Sequence, residues 1–137
     1  LDNIEPITIE LHQPGLLHEL RWDGNDKHEK ALDIANNYIW SSSTLYTDQV
    51  IEYRKNLFDR FIHSADGITA ATVHDFHASN NGDAENGFVI SRQTGMKTFS
   101  ITQAVVQNNA VNFSHADLLQ GKRYSETMLI NHTAIKI

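Results

Sequence analysis

The sequence predicts an α+β chain with strands toward both ends and helices between them. Period-two alternation of apolar and polar residues near the start and again after residue 88 argues for strands. Between them, apolar residues recur at three-to-four spacing, which argues for a helix. In the first region Ile7, Ile9 and Leu11 alternate with Thr8 and Glu10, and Pro6 suits a strand's opening. Pro14-Gly15 turns the chain into Leu16 to Trp22, so a hairpin is expected, closed by the loop Asp23-Gly24-Asn25-Asp26. Asn37 to Ser41 reads as a short buried strand around Tyr38, Ile39 and Trp40, followed by the polar turn Ser41-Ser42-Ser43-Thr44.

A helix capped by Thr47 and led by Asp48 follows, with Val50, Ile51, Leu57, Phe58, Phe61 and Ile62 on one face. Asp66-Gly67 breaks it, and a shorter helix over Ile68 to His77 has Thr69 as its cap and Val73 and Phe76 inward. The polar loop Asn80 to Gly87 then gives way to three expected strands, Phe88 to Arg92, Met96 to Val106 and Val111 to Ser114, with turns at Thr94-Gly95 and Asn108-Asn109. These predict an antiparallel sheet. The tail beyond His115 carries Met128, Leu129 and Ile130, which are expected to dock on an apolar surface.

Composition narrows the function classes. With 137 residues the chain has the length of one ordinary domain. Seventeen acidic against 11 basic residues give a formal charge of −6, and the basic ones are scattered, so nucleic acid is not an expected partner. No apolar run is long enough to span a membrane. A soluble chain in the cytoplasm is the expectation. Without cysteine there is no disulfide, thiolate ligand or cysteine nucleophile. Leu1 is neither an initiator methionine nor the start of a signal sequence, and the chain is read as lacking an upstream portion.

Three constellations carry chemistry. Ser41 and Ser42 follow an aromatic pair at an expected strand end, where a hydroxyl or N–H group can stabilise an oxyanion; the plainer reading is turn chemistry, and no G-x-S-x-G elbow is present. Arg92, on an expected strand among apolar neighbours, is a candidate cleft residue, against the commoner edge arginine facing water. His74 and His77 have ligand-like spacing on a helix, with Asp83 or His63 as conceivable further ligands, but such pairs are more often surface or cap residues, so neither a metal nor another cofactor is expected. The aspartates show no calcium-loop spacing.

Several phrases resemble the NRDE-motif family, related to the transport-and-Golgi-organisation proteins: Ile4-Glu5-Pro6, Leu20-Arg21-Trp22-Asp23-Gly24, Trp40-Ser41-Ser42-Ser43-Thr44-Leu45-Tyr46, Phe76-His77, Asn86-Gly87 and Lys97-Thr98-Phe99-Ser100-Ile101-Thr102. They span most of the chain in the order of that family's C-terminal half. The resemblance implies a fold similar to N-terminal-nucleophile hydrolases, a four-layer αββα sandwich of antiparallel sheets between helices, with residues 1–137 forming the C-terminal half of a single domain. It also implies cleavage of a C–N amide bond in a small-molecule substrate. In such a fold the nucleophile is the first residue and its own amine serves as base. Leu1 cannot take that role, and the family's Met-Cys start and Asn-Arg-Asp-Glu motif are missing, so the expected partner is an N-terminal segment carrying the nucleophile, and no catalytic residue is expected in this chain. By the same resemblance the strand-to-turn position around Ser42, with Ser41 beside it, would supply the oxyanion-stabilising group, and Arg92 would line the cleft. A non-catalytic binding or trafficking module of the same fold is the alternative.

Overall fold

A computed structural model describes residues 4–42, 44–64 and 67–130; Leu1, Ser43 and Asp66, to which the sequence drew attention, lie outside the described residues. The chain is mixed α+β and divides into two compact units, the boundary falling between residues 64 and 65. Among the described residues no helix is long and apolar enough to cross a membrane.

The first unit holds a three-stranded antiparallel sheet in the order β1 (Ile7–Gln13), β2 (Leu16–Trp22), β3 (Lys27–Leu32), followed by helix α1 (Asp48–Ser64). The β1–β2 turn is Pro14-Gly15, with Gly15 at φ +78°, the left-handed position that a type II turn needs after proline. Register pairs Ile7 with Trp22, Ile9 with Leu20 and Leu11 with His18, so one sheet face is largely apolar. That face is open, with Ile7 48%, Ile9 46% and Leu11 47% exposed. Strand β3 is not legible in the sequence because Lys27, His28, Glu29 and Lys30 give it no apolar alternation.

The expected strand at Asn37 to Ser41 does not form. Side chains hold that segment instead of a backbone ladder: the Tyr38 hydroxyl donates to the Asp33 carbonyl at 3.0 Å and the Trp40 indole N–H to Glu19 Oε2 at 2.5 Å. Helix α1 starts where Thr47 and Asp48 place it, with Thr47 Oγ1 accepting the Val50 N–H at 3.4 Å.

The second unit opens with helix α2 (Ala70–His77), capped reciprocally by Thr69 and Thr72. Its sheet has the order β4 (Ser100–Gln107), β5 (Ala110–Asp117), β6 (Lys122–Leu129), all antiparallel. The β4–β5 turn is at Asn108-Asn109, with Asn108 at φ +53°, a conformation asparagine tolerates. The expected strand Phe88 to Arg92 is absent apart from one bridge, Ser91 to Lys97. Its backbone groups are divided among several partners: Val89 N–H donates to the Ser79 carbonyl at 3.1 Å, Ile90 N–H to Thr98 Oγ1 at 3.0 Å and Ser91 N–H to the Ala84 carbonyl at 2.8 Å. The third strand is β6, whose Lys122, Arg123 and Glu126 mask its alternation; Met128 and Leu129 sit on it 55% and 75% exposed rather than docked.

Phe88, Ile90 and Ala116 are the buried apolar residues among those described, and Phe76 packs on Phe88 at 4.5 Å between ring centroids. Gly87 belongs to this core for steric reasons, since a Cβ there would fall 2.2 Å from the Asn80 carbonyl oxygen. Gly87→Ala is therefore expected to lower stability to urea by about 1–3 kcal/mol. Gly121→Ala, at φ +66° in open space, is expected to cost about 1–2 kcal/mol from backbone strain alone. A Gly87 variant no less stable than the Gly121 variant would contradict the close approach.

Candidate functional site

In the first unit, the segment Trp40-Ser41-Ser42 and the β1–β2 pair border a half-open cavity of about 280 Å³. Its polar lining is Thr8, Arg21, Ser41 and Ser42, and Trp22 and Trp40 also line it. Arg54 of α1 fixes this wall. Only 8% exposed, it donates from Nε to Ser41 Oγ at 3.0 Å and lies 4.4 Å from the Tyr46 ring centroid. A hydroxyl that accepts from a guanidinium has its own hydrogen left to give and is polarised as a donor. Ser41 is thus equipped to donate into the cavity.

Ser42 is employed differently. Its Oγ accepts the Leu45 N–H at 3.3 Å and shares a hydrogen with Thr44 Oγ1 at 3.1 Å, while its carbonyl accepts the Tyr46 N–H at 3.3 Å. These bonds shape the turn that delivers Ser41 to Arg54. Sequence reasoning missed Arg54, although a cation three or four residues from Val50, Ile51, Leu57 and Phe58 on the same helical stripe was a readable sign of a buried, bonded arginine.

Beneath Trp40, Glu10 and Glu19 stand directly opposite each other on β1 and β2. Both Glu10 carboxylate oxygens are shielded from solvent and have no hydrogen-bond donor among the described residues. Burial first, and the charge of Glu19 second, push the Glu10 carboxyl above the usual range.

Arg92 is in the second unit and serves a loop. Its Nε donates to the Glu85 carbonyl at 2.8 Å, its backbone N–H to the Met96 carbonyl at 2.8 Å, and Glu85 Oε1 accepts the neighbouring Gln93 N–H at 2.9 Å. Asp83 stiffens the same loop, accepting the Glu85 and Asn86 N–H groups at 2.9 and 3.0 Å and Asn86 Nδ2 at 3.1 Å. The Asn86 side-chain bond leads the interactions that hold the Asp83 carboxyl below the usual aspartate range.

His74 and His77 line a second cavity, of about 420 Å³, together with Phe88, Thr98 and Ser100. The structure thus gathers two phrases that are distant in sequence, Phe76-His77 and Lys97 to Thr102. The histidines, however, do not converge as ligands. His74 Nδ1 faces Asp75 Oδ1 at 3.3 Å with its Nε2 buried and without a hydrogen-bond partner among the described residues, and the His77 ring packs 5.2 Å from Phe76 and 5.4 Å from Phe88. Among the described residues no three histidines or carboxylates gather around one point. Ser41 and Ser42 lie in the first unit, Arg92, His74 and His77 in the second.

Comparison with known proteins gives no match to a family model, a curated protein or a solved structure.

The Glu10–Glu19 pair yields a pH-dependent prediction. A raised folded-state pKa means that this group's contribution is complete below the ordinary glutamate pKa of about 4.3 and is lost as pH rises through the raised value. Glu10→Gln is accordingly expected to stabilise the protein at pH 7 by about 0.5 kcal/mol, the scale of a like-charge cross-strand pair. The gain should vanish near pH 3. Thermal melts at the two pH values check it, and a destabilised variant at pH 7 would contradict it.

Proposed function

We propose that this chain is the C-terminal part of an amide-hydrolysing protein whose fold resembles the N-terminal-nucleophile hydrolases, as the NRDE-like phrases imply. In this reading the chain supplies cleft wall and oxyanion donors, and another segment brings the nucleophile. The observation that carries it is the open apolar face of β1 and β2, where Ile7, Ile9, Leu11 and Leu16 remain 41–48% exposed. Exposed apolar side chains in a row on one sheet face call for a covering layer. We assign that layer to the nucleophile-bearing segment. In the second sheet Phe113, Tyr124 and Met128 likewise stand exposed, at 39%, 56% and 55%, on the face set by their register. The apolar face of β1 and β2 suits an inner layer of an αββα sandwich, while on the second sheet those three residues share their face with His115 and Glu126.

Chemically, the nucleophile attacks the amide carbonyl and its oxygen gathers negative charge. Ser41, already accepting from Arg54, offers its hydrogen to that oxygen. Arg54 keeps the serine in place and adds positive charge behind it. Ser42 acts by holding the turn.

A non-catalytic binding module is the second reading, favoured by the use of the Ser42 hydroxyl within its own turn. Assays against a panel of acyl amides separate the two. The isolated 137-residue chain is expected to show no turnover, whereas the protein carrying its nucleophile segment should hydrolyse at least one amide and lose about 10²-fold in kcat on Ser41→Ala. Turnover by the isolated chain would overturn the split-site reading, and an inactive complete protein would favour the binding module.

A further inference from the structure

We propose that the cavity between Trp40-Ser41-Ser42 and the β1–β2 pair binds a small organic carboxylate, anchored by the guanidinium of Arg21. This deepens the hydrolase reading, on which it rests, by naming the substrate class, an acyl amide that also bears a carboxylate.

Arg21 lines the cavity as an exposed residue, and its guanidinium, unlike its ladder-paired backbone, has no hydrogen-bond or ion-pair partner among the described residues. Of the neighbouring carboxylates, Glu19 accepts from the Trp40 indole at 2.5 Å and Asp23 pairs with His28 at 2.7 Å, while Glu10, diagonal to Arg21 on the same face, makes no hydrogen bond among the described residues. A planar guanidinium with its fork unused matches a carboxylate through two parallel hydrogen bonds.

The rest of the lining fits the same ligand. Ser41, polarised by Arg54, and Thr8, directly opposite Arg21 in the β1–β2 register, supply hydroxyl donors. Pro6, Ile7, Trp22 and Trp40 also line the cavity, so a ligand with a short apolar body finds some contact away from its charged end. The volume of about 280 Å³ lies near the lower limit of ordinary ligand sites, roughly 300 Å³, and has room for a small molecule.

The chain's formal charge of −6 opposes any anion at long range. Screening over about 8 Å at physiological salt confines that opposition, while the Arg21 contact is direct. Short-range pairing therefore decides.

The two tryptophans of the chain both line this cavity, so intrinsic fluorescence reports on it without a label. The test is titration of the 137-residue chain with N-acetylglycine and, in parallel, with the uncharged N-acetylglycinamide. Expected is a saturable fluorescence change at millimolar acid, with the amide at least tenfold weaker. Arg21→Gln should remove the preference for the acid and Arg21→Lys should retain part of it, while Arg123→Gln, on β6 of the other unit, should bind as the parent does; circular dichroism establishes that each variant is folded. Equal binding of acid and amide, no response to the acid, or an unchanged preference in folded Arg21→Gln would overturn the proposal. Because binding is read without turnover, acid-selective binding with no hydrolysis by the complete protein would remove the hydrolase reading alone. Hydrolysis indifferent to a carboxylate would remove this proposal alone.

Discussion

At the head of one loop after another an aspartate accepts two successive backbone N–H groups, and the course of the chain beyond each loop depends on it. Asp23 Oδ1 takes Asn25 and Asp26 at 2.9 and 2.8 Å between β2 and β3; Asp117 Oδ1 takes Leu119 and Gln120 at 2.9 and 2.8 Å between β5 and β6. Asp83 does the same before the Phe88 core. In each case a carboxylate replaces the ladder partner that the backbone lacks on leaving a strand or helix. The interactions also settle what the aspartates are for. They are spent on turns, and the depressed pKa of Asp23 has its origin in the same bonds, led by the Asp26 N–H.

This reliance on polar closure goes with shallow apolar burial. Strands pair fully within each sheet, yet apolar side chains on β1 and β2 remain exposed in a row, and on β5 and β6 exposed apolar residues stand among His115 and Glu126. Hydrogen-bonded pairing fixes which residues share a face, but it contributes only modestly to stability, and apolar burial contributes more. A sheet with one open apolar face is arranged to gain stability when something covers it. Cavity and open face then draw on one pair of strands: β1 and β2 border the cavity through Thr8 and Arg21 and carry the row Ile7, Ile9 and Leu11 at the alternate positions.

The sequence disclosed elements wherever local rules govern them. The Pro14-Gly15 and Asn108-Asn109 turns, the Thr47 and Thr69 caps and the apolar stripe of α1 are determined by residues a few positions apart, and each is found. Strands β3 and β6 stayed hidden because an edge strand with charged side chains has no alternation to display. Apolar content misled in the other direction at Tyr38 to Trp40 and Phe88 to Ile90, where a strand needs an unoccupied neighbour and the fold supplies side-chain and loop partners instead. Arg92 shares that cause: without its strand it becomes a loop clasp.

The candidate cleft was half legible for a similar reason. Ser41 and Ser42 were visible as a phrase, but which hydroxyl is available depends on Arg54, thirteen residues downstream from Ser41. A buried guanidinium needs acceptors, and satisfying it draws Ser41 out of the turn that Ser42 closes. The two adjacent serines therefore divide the work. One holds the chain's direction, while the other, polarised by its arginine, faces the space beside Arg21 and the two tryptophans. The helix that carries Arg54 is thus tied to the cavity by a polar bond, so a change at that arginine acts on the donor strength and position of Ser41 together.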